Sequence, residues 1–110
     1  MIKLGVIGST KGTDLQFIID GINSEKVDAQ VAVVISNRKA AYILERARIN
    51  EIPSIYIPHK NKEREDFDSE ISAVLRIYNV ELVLLIGFMR ILSTRFCADW
   101  NNKVLNVHPS

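Results

Sequence analysis

An α/β fold, one doubly wound parallel sheet with helices on both faces, is what this 110-residue sequence predicts. Three observations carry that reading. Short apolar runs alternate with helical repeats, one run is apolar without a break, and the unusual polar residues all come directly after the runs. The first strand spans Ile2 to Ile7. Leu15, Ile18, Ile19 and Ile22 then follow the i, i+3, i+4, i+7 spacing of one buried helical stripe. A second strand, Ala29 to Ile35, precedes a shorter stripe at Ala40, Ile43, Leu44 and Ala47. The third strand is Ser54 to Ile57, followed by the stripe Phe67, Ile71, Val74, Leu75 and Tyr78. Leu82-Val83-Leu84-Leu85-Ile86 is continuously apolar, as a parallel strand covered on both faces should be. Ser93 is placed to cap a fourth helix holding Phe96, Cys97 and Trp100, and Val104 to Val107 forms the last strand. The order βαβαβαβαβ calls for a parallel sheet, and the absence of repeats or linkers makes residues 1–110 one unit.

Composition narrows the function. Hydrophobic residues make up 47% of the chain, enough for a core, and charged residues 25%. Fourteen Lys and Arg against 13 Asp and Glu leave a net charge of +1, which argues against a nucleic-acid surface while leaving room for one local anion site. Cys97 stands alone, so neither an intrachain disulfide nor a cysteine metal cluster is available. The apolar run at the N-terminus is too short for a signal peptide, and no run approaches the ~18 residues of a membrane span. A soluble, cytoplasmic protein is expected.

Parallel sheets of this kind bind ligands beyond the carboxyl ends of their strands. After the first strand comes Gly8-Ser9-Thr10-Lys11-Gly12-Thr13-Asp14. Thr13 with Gln16 fits a capping box, and free N–H groups at the helix start, approached closely at Gly12, suit one phosphate. Asp14 favours the helix dipole but competes with an anion. Arg64, in Glu63-Arg64-Glu65-Asp66, sits against local charge preference and suits either a ligand anion or an i, i+4 pair with Asp68. After the continuous strand, Gly87 permits a sharp exit, and Met89, Ile91 and Leu92 offer an apolar wall for a flat heterocycle. His59 reads as a surface loop residue and Cys97 as helix packing. Asn106 and His108, two apart at the end of the last strand, share a face about 6.5 Å from each other. An amide donor beside an imidazole can polarise a carbonyl and move the proton of an attacking amine.

These segments together resemble phosphoribosylglycinamide formyltransferase. The carrying residues are Gly12-Thr13-Asp14-Leu15-Gln16, Ser36-Asn37, Leu44-Glu45-Arg46-Ala47-Arg48, Arg64-Glu65 with Phe67-Asp68, Gly87-Phe88-Met89-Arg90-Ile91-Leu92-Ser93, and Asn106-Val107-His108-Pro109-Ser110. The resemblance implies a Rossmann-like formyltransferase fold and transfer of a formyl group from 10-formyltetrahydrofolate to the amine of glycinamide ribonucleotide in purine (IMP) biosynthesis. It places the ribonucleotide phosphate on Gly12, Thr13 and Asp14. Folate falls to Arg64, Met89, Arg90, Ile91, Leu92 and Asn106. Asn106 would hold the formyl oxygen and His108 would carry the proton, with no metal because the donor is already activated. The family usually has Ser-Asn at Thr13-Asp14, and its members run on for about as many residues again. The fold is therefore expected to stop after the fifth strand, as an amino-terminal part lacking the catalytic aspartate and part of the folate site. Such a piece should turn over little alone, and should self-associate or pair with a complementary half. The alternatives are a non-catalytic fragment that binds ribonucleotide, and a formyltetrahydrofolate deformylase-like protein. The latter typically ends this motif with His-His-Ser, whereas Pro109 follows His108 here.

Overall fold

The computed structural model of the chain describes residues 1–90 and 92–107. Five parallel strands, β1 (Ile2–Gly8), β2 (Ala29–Ser36), β3 (Ser54–Tyr56), β4 (Leu82–Ile86) and β5 (Val104–Val107), lie in the order β3-β2-β1-β4-β5. The helices between them are α1 (Thr13–Asn23), α2 (Tyr42–Ile49), α3 (Arg64–Ile77) and α4 (Thr94–Asp99). Each strand and helix expected from the periodicity is present, with one shift: Ala40 lies before α2 and is exposed.

Two apolar layers sandwich the sheet. Leu15 and Ile19 of α1 and Ile43 and Ala47 of α2 pack with Leu4, Val6, Val34, Leu84 and Ile86 on one face. On the other, Phe67, Ile71 and Leu75 of α3 join Phe96, Trp100, Ile7, Ile35 and Val83. Burying one such side chain contributes about 1.5–3 kcal/mol. The Trp100 indole N–H donates to Ser72 Oγ at 3.0 Å, so the polar end of this large ring is satisfied inside that layer. β2 carries one extra residue opposite β1: Leu4 pairs with Val31 and Gly5 with Val33. The skipped Ala32 and the following Val33 both face α3, as a β-bulge requires.

β1 is the central strand. From it the chain runs out to β2 and β3 in one direction and, after α3, returns to β4 and β5 in the other. The strand order therefore reverses between β1 and β4, and the crevice of such a sheet lies outside the carboxyl ends at that point. β5 closes one edge, with Leu105 54% exposed. No described helix is long and apolar enough to cross a membrane.

Candidate functional site

The segments after β1 and β4 meet at the reversal point. Ser9 N–H donates to the Gly87 carbonyl at 3.2 Å, and Met89 N–H donates to Ser9 Oγ at 3.2 Å. Gly87 has φ 59°, and a Cβ there would strike Thr10 Oγ1, so glycine is required by both backbone and neighbour. The first loop is held in turn by α2. Thr10 carbonyl accepts from Ile43 N–H at 3.1 Å, and Lys11 carbonyl accepts from Arg46 Nε at 2.6 Å.

The start of α1 departs from the expected capping box. Gly12, in the left-handed region at φ 70°, is the cap residue, no side chain bonds to it, and Thr13 is already helical. Gly12 is buried, and a Cβ on it would lie 2.8 Å from Ile43 Cβ. Its lack of a side chain thus serves the close approach of α2. The turn remains a helix start whose first N–H groups have no side-chain partner, with Asp14 in the first turn.

On the β4 side the residues expected to form an apolar wall differ in exposure. Phe88 and Leu92 pack against the α3/α4 layer, while Met89 is 64% exposed. Ile91 lies outside the described residues. The Arg90 guanidinium sits 5.1 Å over the Phe67 ring, and its Nε is buried with no hydrogen-bond partner among the described residues. Arg64 is the exposed first residue of α3. Its expected i, i+4 partner is otherwise engaged: Asp68 is buried and accepts the Ser93 N–H at 2.6 Å. Ser93 caps α4 as expected, its Oγ accepting from Phe96 N–H at 3.1 Å, but Cys97 is exposed and does not pack.

Asn106 pairs with Leu85 across the sheet and is exposed at the end of β5. Val104 packs on the α3/α4 layer, and strand alternation turns Asn106 to that same side. The Gly12 turn belongs to the α1/α2 side, so the two stand on either side of the sheet's carboxyl edge. His108 lies outside the described residues.

Three polar residues matter more than the sequence indicated. Ser9 and Asn37 are buried, and Ser9 Oγ donates to Asn37 Oδ1 at 2.7 Å. Asn37 Nδ2 lies 3.1 Å from His59 Nδ1, and the His59 ring meets Phe67 edge-on at 6.1 Å. His59 is thus half-buried and engaged, where a surface loop residue was expected. The signal available was a polar residue ending each of three neighbouring strands. A cleft of about 770 Å³ opens at the opposite edge among Lys3, Asn23, Gln30, Asn50 and Asn79. It lies at the strands' amino ends, and Ser9, Gly12, Asn37, His59, Met89 and Asn106 do not line it.

A parallel sheet with glycine turns meeting at its reversal point defines an α/β domain of the doubly wound class, and the chain belongs to the formyl transferase family, whose model matches residues 2–110. Within that family it is similar to the amino-terminal portion of phosphoribosylglycinamide formyltransferase. The enzyme of that name from Haemophilus influenzae is 40% identical over 111 residues, covering 100% of this chain and 52% of the relative. The human trifunctional purine biosynthetic protein adenosine-3 is 43% identical over 109 residues, 98% of this chain and 11% of that protein. The structure of phosphoribosylglycinamide formyltransferase from Coxiella burnetii superposes with a TM-score of 0.93 at 37% identity, covering 98% of this chain and 51% of that one. The chain spans about half the length of the formyltransferases it matches, and about a tenth of the trifunctional proteins.

Proposed function

We propose that this chain supplies one part of a site for formyl transfer from 10-formyltetrahydrofolate to the amine of glycinamide ribonucleotide. The supporting observation is the meeting of the β1 and β4 segments at the sheet's reversal point, in a chain 40% identical to a phosphoribosylglycinamide formyltransferase. The N–H groups of Gly12, Thr13 and Asp14 take the phosphate, where a helix start favours an anion. Arg64 and the segment Met89, Arg90, Ile91 and Leu92 take the folate. Asn106 donates to the formyl oxygen and touches both reactants.

In the reaction the amine nitrogen bonds to the formyl carbon, and the carbonyl oxygen gains charge that the Asn106 amide N–H stabilises. The bond from that carbon to the folate nitrogen then breaks. The proton lost by the amine ends on the leaving nitrogen, and His108 carries it between them. Asn106 and the Gly12 turn, on either side of the carboxyl edge, leave the amine and the formyl group to meet above β1 and β4. The rest of the site comes from residues equivalent to the relatives' remaining half, which on this reading includes the carboxylate that tunes the imidazole.

A formyl-transfer assay tests this, run on the chain with and without the remaining half of the Haemophilus influenzae relative. Turnover is expected only with that half present, and Asn106→Ala should lower it about 10²–10³-fold, as loss of one oxyanion donor does. A complemented pair indifferent to both Asn106→Ala and His108→Ala would overturn the roles.

A further inference from the structure

Four groups form one hydrogen-bonded file along the carboxyl edge: His59 after β3, Asn37 after β2, Ser9 after β1, and the Met89 backbone after β4. The Met89 N–H and the need of the Ser9 proton for an acceptor together set the direction of the bonds. The Met89 N–H can only donate, so Ser9 Oγ accepts it at 3.2 Å. The Ser9 hydroxyl proton goes to Asn37 Oδ1 at 2.7 Å. The Asn37 amino group then faces His59 Nδ1 at 3.1 Å. In this arrangement Nδ1 is the acceptor, as it is in the Nε2–H tautomer of the ring. With the amide turned over, Ser9 Oγ would meet two N–H donors, and its own proton would have no acceptor among the described hydrogen bonds. Ser9 is 3% exposed and Asn37 5%, so water does not readily stand in for a lost partner.

We propose that His59 is a positioning residue for the folate-side segment, holding the Met89 backbone through Asn37 and Ser9 only while its ring is neutral. The proposal rests on the reading that this segment lies against folate. Protonating the ring sets an N–H at Nδ1 against the Asn37 amino group. The amide must turn over to present Oδ1. Its amino group then points at Ser9 Oγ beside the Met89 N–H, and the Ser9 proton loses its acceptor, so the hydroxyl that holds Met89 must reorient. Asn37 and Phe67 touch the ring directly. The charged groups on the elements around it are Arg38 beside Asn37, Lys60 and the Glu70-paired Lys62 on its own loop, Glu63 at the cap of α3, Arg64, Glu65, Asp66 and Asp68 in its first turns, and Arg90 over Phe67.

Nitrogen-15 NMR of the labelled chain between about pH 5 and about pH 8 tests the file. The His59 ring should show the Nε2–H tautomer at the upper end. The Met89 amide should move along one curve with the ring's midpoint. Ser9→Ala should leave the ring's titration intact and abolish the movement of Met89. His59→Gln, which keeps an acceptor but does not titrate, should hold Met89 near its high-pH position throughout. With 5-formyltetrahydrofolate as probe, binding should weaken about two- to tenfold on acidification in the parent chain and not in His59→Gln. A Met89 amide that ignores the ring's titration, or that still follows it in Ser9→Ala, overturns the proposal. Intact co-titration with no folate effect on Met89 supports the file and overturns the folate assignment alone.

Discussion

Asp68 Oδ2 accepts the backbone N–H of Ser93 at 2.6 Å, and with both residues buried this single contact ties α3 to the first turn of α4. Ser93 in turn caps α4 through Phe96 N–H, so one carboxylate anchors the exit of the Gly87 to Leu92 segment as well as the helix that follows. Replacing Asp68 with Ala strands a buried N–H. Such a change costs about 1–3 kcal/mol, read as a lower urea midpoint with unchanged slope. Asp68→Asn, which keeps an acceptor oxygen, should recover much of the loss.

Gly12→Ala should destabilise the chain by more than the ~1 kcal/mol of an ordinary glycine replacement, because φ is 70° and the new Cβ meets Ile43. Adding Ile43→Ala removes the Cγ1 and Cδ1 contacts but leaves the 2.8 Å approach of the two Cβ atoms and the backbone strain. The double variant should therefore be more stable than the two single losses summed. Thermal melts of the three variants measure the difference.

Asp14 places a negative charge in the first turn of α1, beside the proposed phosphate site. Asp14→Asn should tighten binding of ribose 5-phosphate, by about the 0.3–1 kcal/mol that a charge at a helix terminus is worth. Calorimetry at low ionic strength would show it, and the gain should shrink as salt is added.

At β5 Leu105 is exposed on an edge that pairs with no further strand among the described residues, a surface that pairs readily with another strand. Sedimentation of this polypeptide should show association that grows with concentration. Leu105→Lys should reduce it without lowering the melting temperature by more than a degree or two, because that side chain is half in solvent.

Legibility in the sequence followed the physics of each feature. Strand and helix positions were readable because Leu15, Ile19, Phe67 and Ile71 recur at the helical period and all are buried. The motif residues Gly12 and Gly87 were found because they follow strands, and Asn106 because it stands near the end of one. What they touch was not readable. Gly12 approaches Ile43, 31 positions further along the chain by their numbering, and no local pattern reports such a packing contact. Asp68 looked like a surface partner for Arg64 because i, i+4 spacing suggests it, but the buried Ser93 N–H claims the carboxylate. His59 looked idle for the same reason: its partner Asn37 is local to another strand.

Chemical-shift mapping with the two ligands separately addresses the central claim, that the turns after β1 and β4 belong to one formyl-transfer site. Glycinamide ribonucleotide should perturb the amides of Gly12, Thr13 and Asp14. 5-Formyltetrahydrofolate should perturb Met89, Arg90, Leu92 and Asn106. Perturbations gathered instead around Lys3, Gln30 and Asn79 at the opposite edge, or none at either turn with millimolar ligand, would contradict the account.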